Sequence, residues 1–168
     1  HLFTIYLDMF LNEWRLQRGE QPLKRIAIVD ADPEAQFLFP EFKIAQSLFE
    51  TRGIEALIAS PESLKYQNNQ LCYEDKPIDL VYNRLTDFVL GAHTSRDLNL
   101  AYQHGDVVVT PAPYHYALYA DKRNLTLFSN EQVLREFGVS ETDIAILRAT
   151  IPHSIEVTTD NAATLWER

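Results

Sequence analysis

The chain has 168 residues, 46% of them hydrophobic, which is about one domain's worth with a real core and excludes a disordered chain. Fifteen Lys and Arg stand against 24 Asp and Glu, a formal net charge of −9, so no nucleic acid and no anionic membrane is expected as a partner. One cysteine, Cys72, excludes an intrachain disulfide, and no apolar run approaches the roughly 20 residues that span a bilayer, so the expected compartment is the cytoplasm.

The chain opens His1-Leu2-Phe3 and its sole methionine is Met9, which reads as a processed product or a piece of a longer protein. Phe3 to Arg18 lacks Pro and Gly, and Phe3, Tyr6, Phe10 and Trp14 recur at helical steps; Gly19 is the stop. Arg25 to Asp30 is a short, nearly all-apolar run, as expected of a parallel strand covered on both faces, and Asp32-Pro33 breaks it. An amphipathic helix is expected over Glu41 to Arg52, closed by Gly53. Ile54 to Ala59 reads as a second strand. Leu64 to Ile78, with turns at Asn68-Asn69 and Glu74 to Pro77, reads as a small hairpin excursion.

Asp79 to Tyr82 is the third expected strand, ending in Asn83-Arg84. Ser95 caps a helix over Arg96 to His104, which Gly105 closes. Val107 to Val109 is the fourth strand, ending at Thr110-Pro111. Ala117 to Phe128 is expected to be one helix. Ser129-Asn130-Glu131-Gln132 has the form of a capping box opening a helix that Gly138 ends, and Ser140 to Asp143 opens another. The tail from Thr159 to Arg168 reads as a helix start. The fold class expected is α/β: a mostly parallel, Rossmann-like sheet of about four strands with flanking helices and a small hairpin. The expected division is a helical segment 1–24, an α/β domain 25–138 and a helical connector 139–168.

Ligands of such sheets sit beyond the carboxyl ends of the strands. Asp30, Ser60, Asn83, Arg84 and Thr110 fall there. Arg84 offers a planar fork suited to a carboxylate; its structural alternative is pairing with a nearby acid. Glu41, just after Pro40, is a second candidate, or simply a charge suited to a helix's first turn. Asp121-Lys122-Arg123 is placed on a helix, where a solvated charge run is the plain alternative. Tyr114, Tyr116 and Tyr119 cluster around His115 at a loop-to-helix corner.

Several chemistries are excluded. No two of the five glycines are close, so neither G-x-G-x-x-G nor G-x-x-x-x-G-K-[ST] exists. No G-x-S-x-G elbow is present. The histidines form no zinc-ligand pair, and no metal site is expected.

Ile26 to Asp30 followed by Asp32 resembles the acidic start of response-regulator receivers. Asn83 stands where that family carries its phosphoacceptor carboxylate, and the closing Lys-Pro after the fourth strand is absent, so this would be a degenerate receiver. A second resemblance covers roughly 25–168. Ile26 to Asp30, Pro40-Glu41-Phe42, Asp79-Leu80-Val81-Tyr82-Asn83-Arg84 and Asp121-Lys122-Arg123-Asn124-Leu125, in that order, resemble the N-terminal part of circularly permuted ATP-grasp proteins, relatives of glutathionylspermidine-synthase-type ligases. So does the tail, Ile151 to Ser154 and then Leu165 to Arg168. This resemblance implies a pre-ATP-grasp, substrate-side domain whose partner is a C-terminal ATP-grasp domain of the same protein. That protein would use ATP and Mg to form an amide bond through an acyl phosphate. No cofactor is expected in this chain itself. The resemblance implies a small carboxylate or amine substrate near Asp30, Glu41, Asn83, Arg84 and Thr110, and a junction to the nucleotide lobe at Asp121 and Lys122. Isolated, the chain is expected to be inactive. The rival functions are a non-catalytic receiver-like or small-ligand-binding module and a structural pairing domain; self-association into a homo-oligomer stays open.

Overall fold

The computed structural model describes residues 2–166, so the part of the tail helix at Glu167 and Arg168, like the start at His1, lies outside the described residues. The chain divides into two compact units, 1–117 and 118–168. This differs from the expected three-part division, above all at the start: the first helix shares one core with the sheet.

In the first unit, α1 (Leu2–Arg18) precedes β1 (Arg25–Val29), α2 (Phe39–Glu50) and β2 (Glu55–Ala59). A small antiparallel sheet follows, of β3 (Lys65–Gln67), β4 (Gln70–Tyr73) and β5 (Lys76–Pro77). Then come β6 (Leu80–Asn83), α3 (Arg96–His104), β7 (Val108–Thr110) and α4 (Pro113–Tyr119), which crosses the boundary between the units. The main sheet is four-stranded and all parallel, in the order β2-β1-β6-β7. The expected α/β class, sheet and small hairpin excursion are thus what the chain adopts, the excursion forming three short strands about its two turns.

Strand geometry explains the two-sided core, because successive side chains point to opposite faces. Ile26, Ile28, Leu80 and Tyr82 face α1 and α2, where Phe10, Phe42 and Phe49 are fully buried. Ala27, Val29, Val81 and Val109 face α3 and the small sheet, meeting Leu71, Leu98 and Ala101. Each buried Phe contributes roughly 1.5–3 kcal/mol relative to exposure. Gly105, at φ 73°, takes the left-handed C-cap expected of it and donates to the Ala101 and Tyr102 carbonyls.

The second unit contains α5 (Asn124–Phe128), α6 (Glu131–Glu136), α7 (Glu141–Thr150) and α8 (Ala162–Trp166). Two expectations need correction here. The single helix over Ala117 to Phe128 is two helices, broken at 120–123. There the Asp121 carboxylate accepts from the Arg123 backbone N–H at 2.9 Å, a local bond that competes with helix continuation. The cap of α6 is Asn130, not Ser129: its Oδ1 accepts from Val133 N at 3.3 Å. Ser129 instead ends α5, its hydroxyl donating to the Leu125 carbonyl and accepting from Ser154 N. Ser140 caps α7 as expected, accepting from Asp143 N at 3.1 Å. Among the described residues no helix is long and apolar enough to cross a membrane.

Candidate functional site

The chain runs from β1 out to β2, then returns to the far side of β1 as β6. Strand order therefore reverses between β1 and β6, and their carboxyl ends are the place where such sheets open a crevice. Asp30 follows β1; Asn83 ends β6 and Arg84 follows it. The Arg84 backbone N–H still donates to the Val29 carbonyl at 2.9 Å, so the ladder itself fixes where the side chain starts.

Tyr82 and Arg84 are two residues apart and share a face of the strand. The Tyr82 hydroxyl accepts from Arg84 Nη1 at 3.2 Å, and the guanidinium carbon lies 5.5 Å from the Tyr82 ring centroid and 5.7 Å from that of Phe42. Two aromatic faces thus hold the cation in place. Its one ion pair among the described residues is with Glu41, with Nη2 and Oε1 3.7 Å apart, too long for a hydrogen bond. Arg84 Nε is buried and has no hydrogen-bond partner among the described residues. A guanidinium carries five N–H donors, so this one keeps most of its capacity unspent.

Arg84 borders a cavity of about 410 Å3 over the ends of β6 and β7. Asn83 and Thr110 line it too, so three of the sequence candidates meet at one space. Arg84 is the single charged residue among the described ones that line it. Asn83 is nonetheless committed to the fold: its Nδ2 donates to the Pro111 carbonyl at 3.4 Å and its Oδ1 accepts from Leu85 N at 3.1 Å.

Asp30 and Glu41 do not line this cavity. Glu41 belongs to a neighbouring apolar groove between α1 and α2. The Asp30 carboxylate accepts from Ala31 N at 2.8 Å; burial pushes its pKa above the usual carboxylate range, against the pull of that amide and of Arg84. Nearby, the buried Tyr6 hydroxyl is pushed well above the ordinary phenol value, by burial first and by Tyr82 second, although it meets no partner in hydrogen-bond geometry.

Phe88, Tyr116, Met9 and Phe10 add apolar wall to the cavity, and of these Phe88 carries no signal in the sequence. Phe88 lies four residues beyond Arg84 in an unpatterned loop, and the sequence carries no period that would place it. Asp121 and Lys122 belong to the second unit. The Asp121 carboxylate is held by the Arg123 guanidinium at 2.5–3.1 Å, and Lys122 is exposed with no ion pair among the described residues.

Compared with known proteins, the chain matches no family model and no curated protein sequence.

Proposed function

We propose that the first unit is a substrate-binding lobe that grips a small carboxylate at Arg84, in a protein of the ATP-grasp ligase type. The observation that carries this reading is the Arg84 guanidinium: it is the single charged group among the described residues that line the cavity, and its acidic neighbour Glu41 lies 3.7 Å away, outside that lining. The side chain is 27% exposed, so its terminal Nη groups are the donors an incoming carboxylate would meet. An amine fits this space poorly, since an ammonium would meet a fixed cation and no acid among the described lining residues. The order of the sequence motifs supports the finer assignment to a ligase.

The chain's own residues do not fit ATP and Mg. Gly19, Gly53, Gly105 and Gly138 stand singly at positive φ, forming no cradle of adjacent amides, and no group of three or more His, Cys, Asp and Glu among the described residues could hold a metal. What these residues do is bind and orient: Tyr82 and Phe42 set the guanidinium plane, and Arg84 fixes the carboxylate.

The test is hydroxylamine trapping. The protein joined to its nucleotide lobe should convert ATP, a small carboxylic acid and hydroxylamine to a hydroxamate, and Arg84→Lys should raise the Michaelis constant for the acid at least tenfold, because an ammonium lacks the fork. A wild type giving no hydroxamate across a panel of small acids would remove the ligase reading and leave a non-catalytic ligand-binding module.

A further inference from the structure

The wall facing the Arg84 cavity from the loop after β6 is aromatic, and it is built with care. Phe88 stacks on Tyr116 with ring centroids 4.0 Å apart and planes 12° from parallel. Both rings line the cavity together with Met9 and Phe10. Phe88 is still 42% exposed, a costly place for a phenyl ring unless something apolar covers it.

The loop that carries Phe88 is pinned on both sides of the ring. Asp87 Oδ1 accepts from Gly91 N and Oδ2 from Ala92 N, each at 2.9 Å. Burial raises the Asp87 pKa, but these amide bonds outweigh it and hold the carboxyl below its usual range. Leu90 is 1% exposed and adopts a left-handed φ of 54°, and the Asn99 side chain donates to its carbonyl at 2.9 Å. A loop fixed in this way presents Phe88 in one place, and so little ordering entropy remains to be lost on binding. Tyr116 comes from α4, whose amide donates to the Ala112 carbonyl at 3.0 Å.

We infer that the stacked Phe88–Tyr116 pair is the specificity element of the Arg84 cavity and selects an acid whose carboxylate is carried on a flat apolar body, an arylalkanoic acid in the simplest case. This rests on the reading of Arg84 as the carboxylate holder. A ring laid against the pair gains offset or edge-on aromatic contact beyond area burial, which a saturated body of the same size does not. The cavity volume, about 410 Å3, suits a small ligand and not a polymer end.

The experiment is a titration of the whole chain followed by amide NMR, with 3-phenylpropionate, 3-cyclohexylpropionate, propionate and 2-phenylethylamine as probes. The inference expects 3-phenylpropionate to bind at least tenfold more tightly than propionate and at least threefold more tightly than the cyclohexyl acid. Phe88→Ala should collapse the aryl preference to about twofold, with an amide spectrum that shows the fold intact; Tyr116→Leu should do the same if the first variant fails to fold. Equal affinities for the aryl acid and propionate, or an aryl preference that survives loss of both rings, would overturn the inference and leave the Arg84 reading standing. Tighter binding of the amine than of any acid, or acid binding untouched by Arg84→Gln, would overturn both.

Discussion

Arg25 and Arg84 stand at opposite ends of one parallel sheet. At the amino end, Arg25 starts β1 with its side chain 9% exposed; it pairs with Glu55 across the strand at 3.1 Å, and its Nη1 donates to the Tyr73 carbonyl. Beside it the Asp79 carboxylate accepts from two backbone amides, Lys24 N at 2.9 Å and Arg25 N at 2.8 Å. Arg25 and Asp79 thus tie β1 to β2, to β4 and to the segment before β6. At the carboxyl end, Arg84 has aromatic neighbours, one hydroxyl and an acid 3.7 Å away. Among the described residues, Nε is buried without a hydrogen bond in both side chains; what separates them is the partner, a carboxylate at 3.1 Å and a carbonyl for Arg25 against a carboxylate at 3.7 Å and a neutral hydroxyl for Arg84.

The contrast can be broken or sharpened by mutation. Asp79→Ala, at the structural end, removes a charged acceptor from two amides and should cost about 2–3 kcal/mol in urea unfolding. A loss below about 1 kcal/mol would mean that the amino end is not held by this carboxylate. Arg84→Gln should cost less than about 1 kcal/mol, because its acidic partner is distant and 45% exposed and the remaining contacts are one 3.2 Å bond to a neutral hydroxyl and two cation–π faces. Were it to cost as much as Asp79→Ala, the two ends would be alike and Arg84 would be a structural residue.

The smallest effect concerns Asp30. Its folded-state pKa is raised, chiefly by burial, so the folded chain holds the proton more tightly than the unfolded chain does. Its contribution is therefore most favourable below the unfolded carboxylate range and falls as pH climbs through the raised value. Asp30→Asn should melt slightly above wild type at pH 7, and the difference should vanish by about pH 3. A variant that melts below wild type at pH 7 would show that the charged form is favoured.

The sheet was legible because burial on both faces leaves no polar position: Ile26 to Val29 are all fully buried, and the sequence reads as one apolar run. Arg84 was legible for the complementary reason, as a cation directly after such a run. Phe88 was not, since its place depends on how Asp87 folds the loop back on Gly91 and Ala92, which no periodicity encodes. In the second unit a side chain overrules helix propensity: Asp121 bonds within its own turn, and the shift of the α6 cap to Asn130 follows from α5 ending one residue before Ser129.

The small sheet β3-β4-β5 has a consequence for the order in which the chain assembles. Its partners are close in sequence, as in Gln67 with Gln70, whereas β1 meets the segment before β6 through residues 54 apart, Arg25 and Asp79. Short hairpins close in about 1–10 μs, and the entropy of closure rises with loop length. The antiparallel sheet is thus expected to form first and to shorten the effective loop between β2 and β6, so that the central strand pair closes around a structure already in place. Substitutions at Leu71 would then slow refolding, while those at Val108, on the last strand to join, would chiefly speed unfolding; the reverse pattern in stopped-flow kinetics would put the parallel pair first.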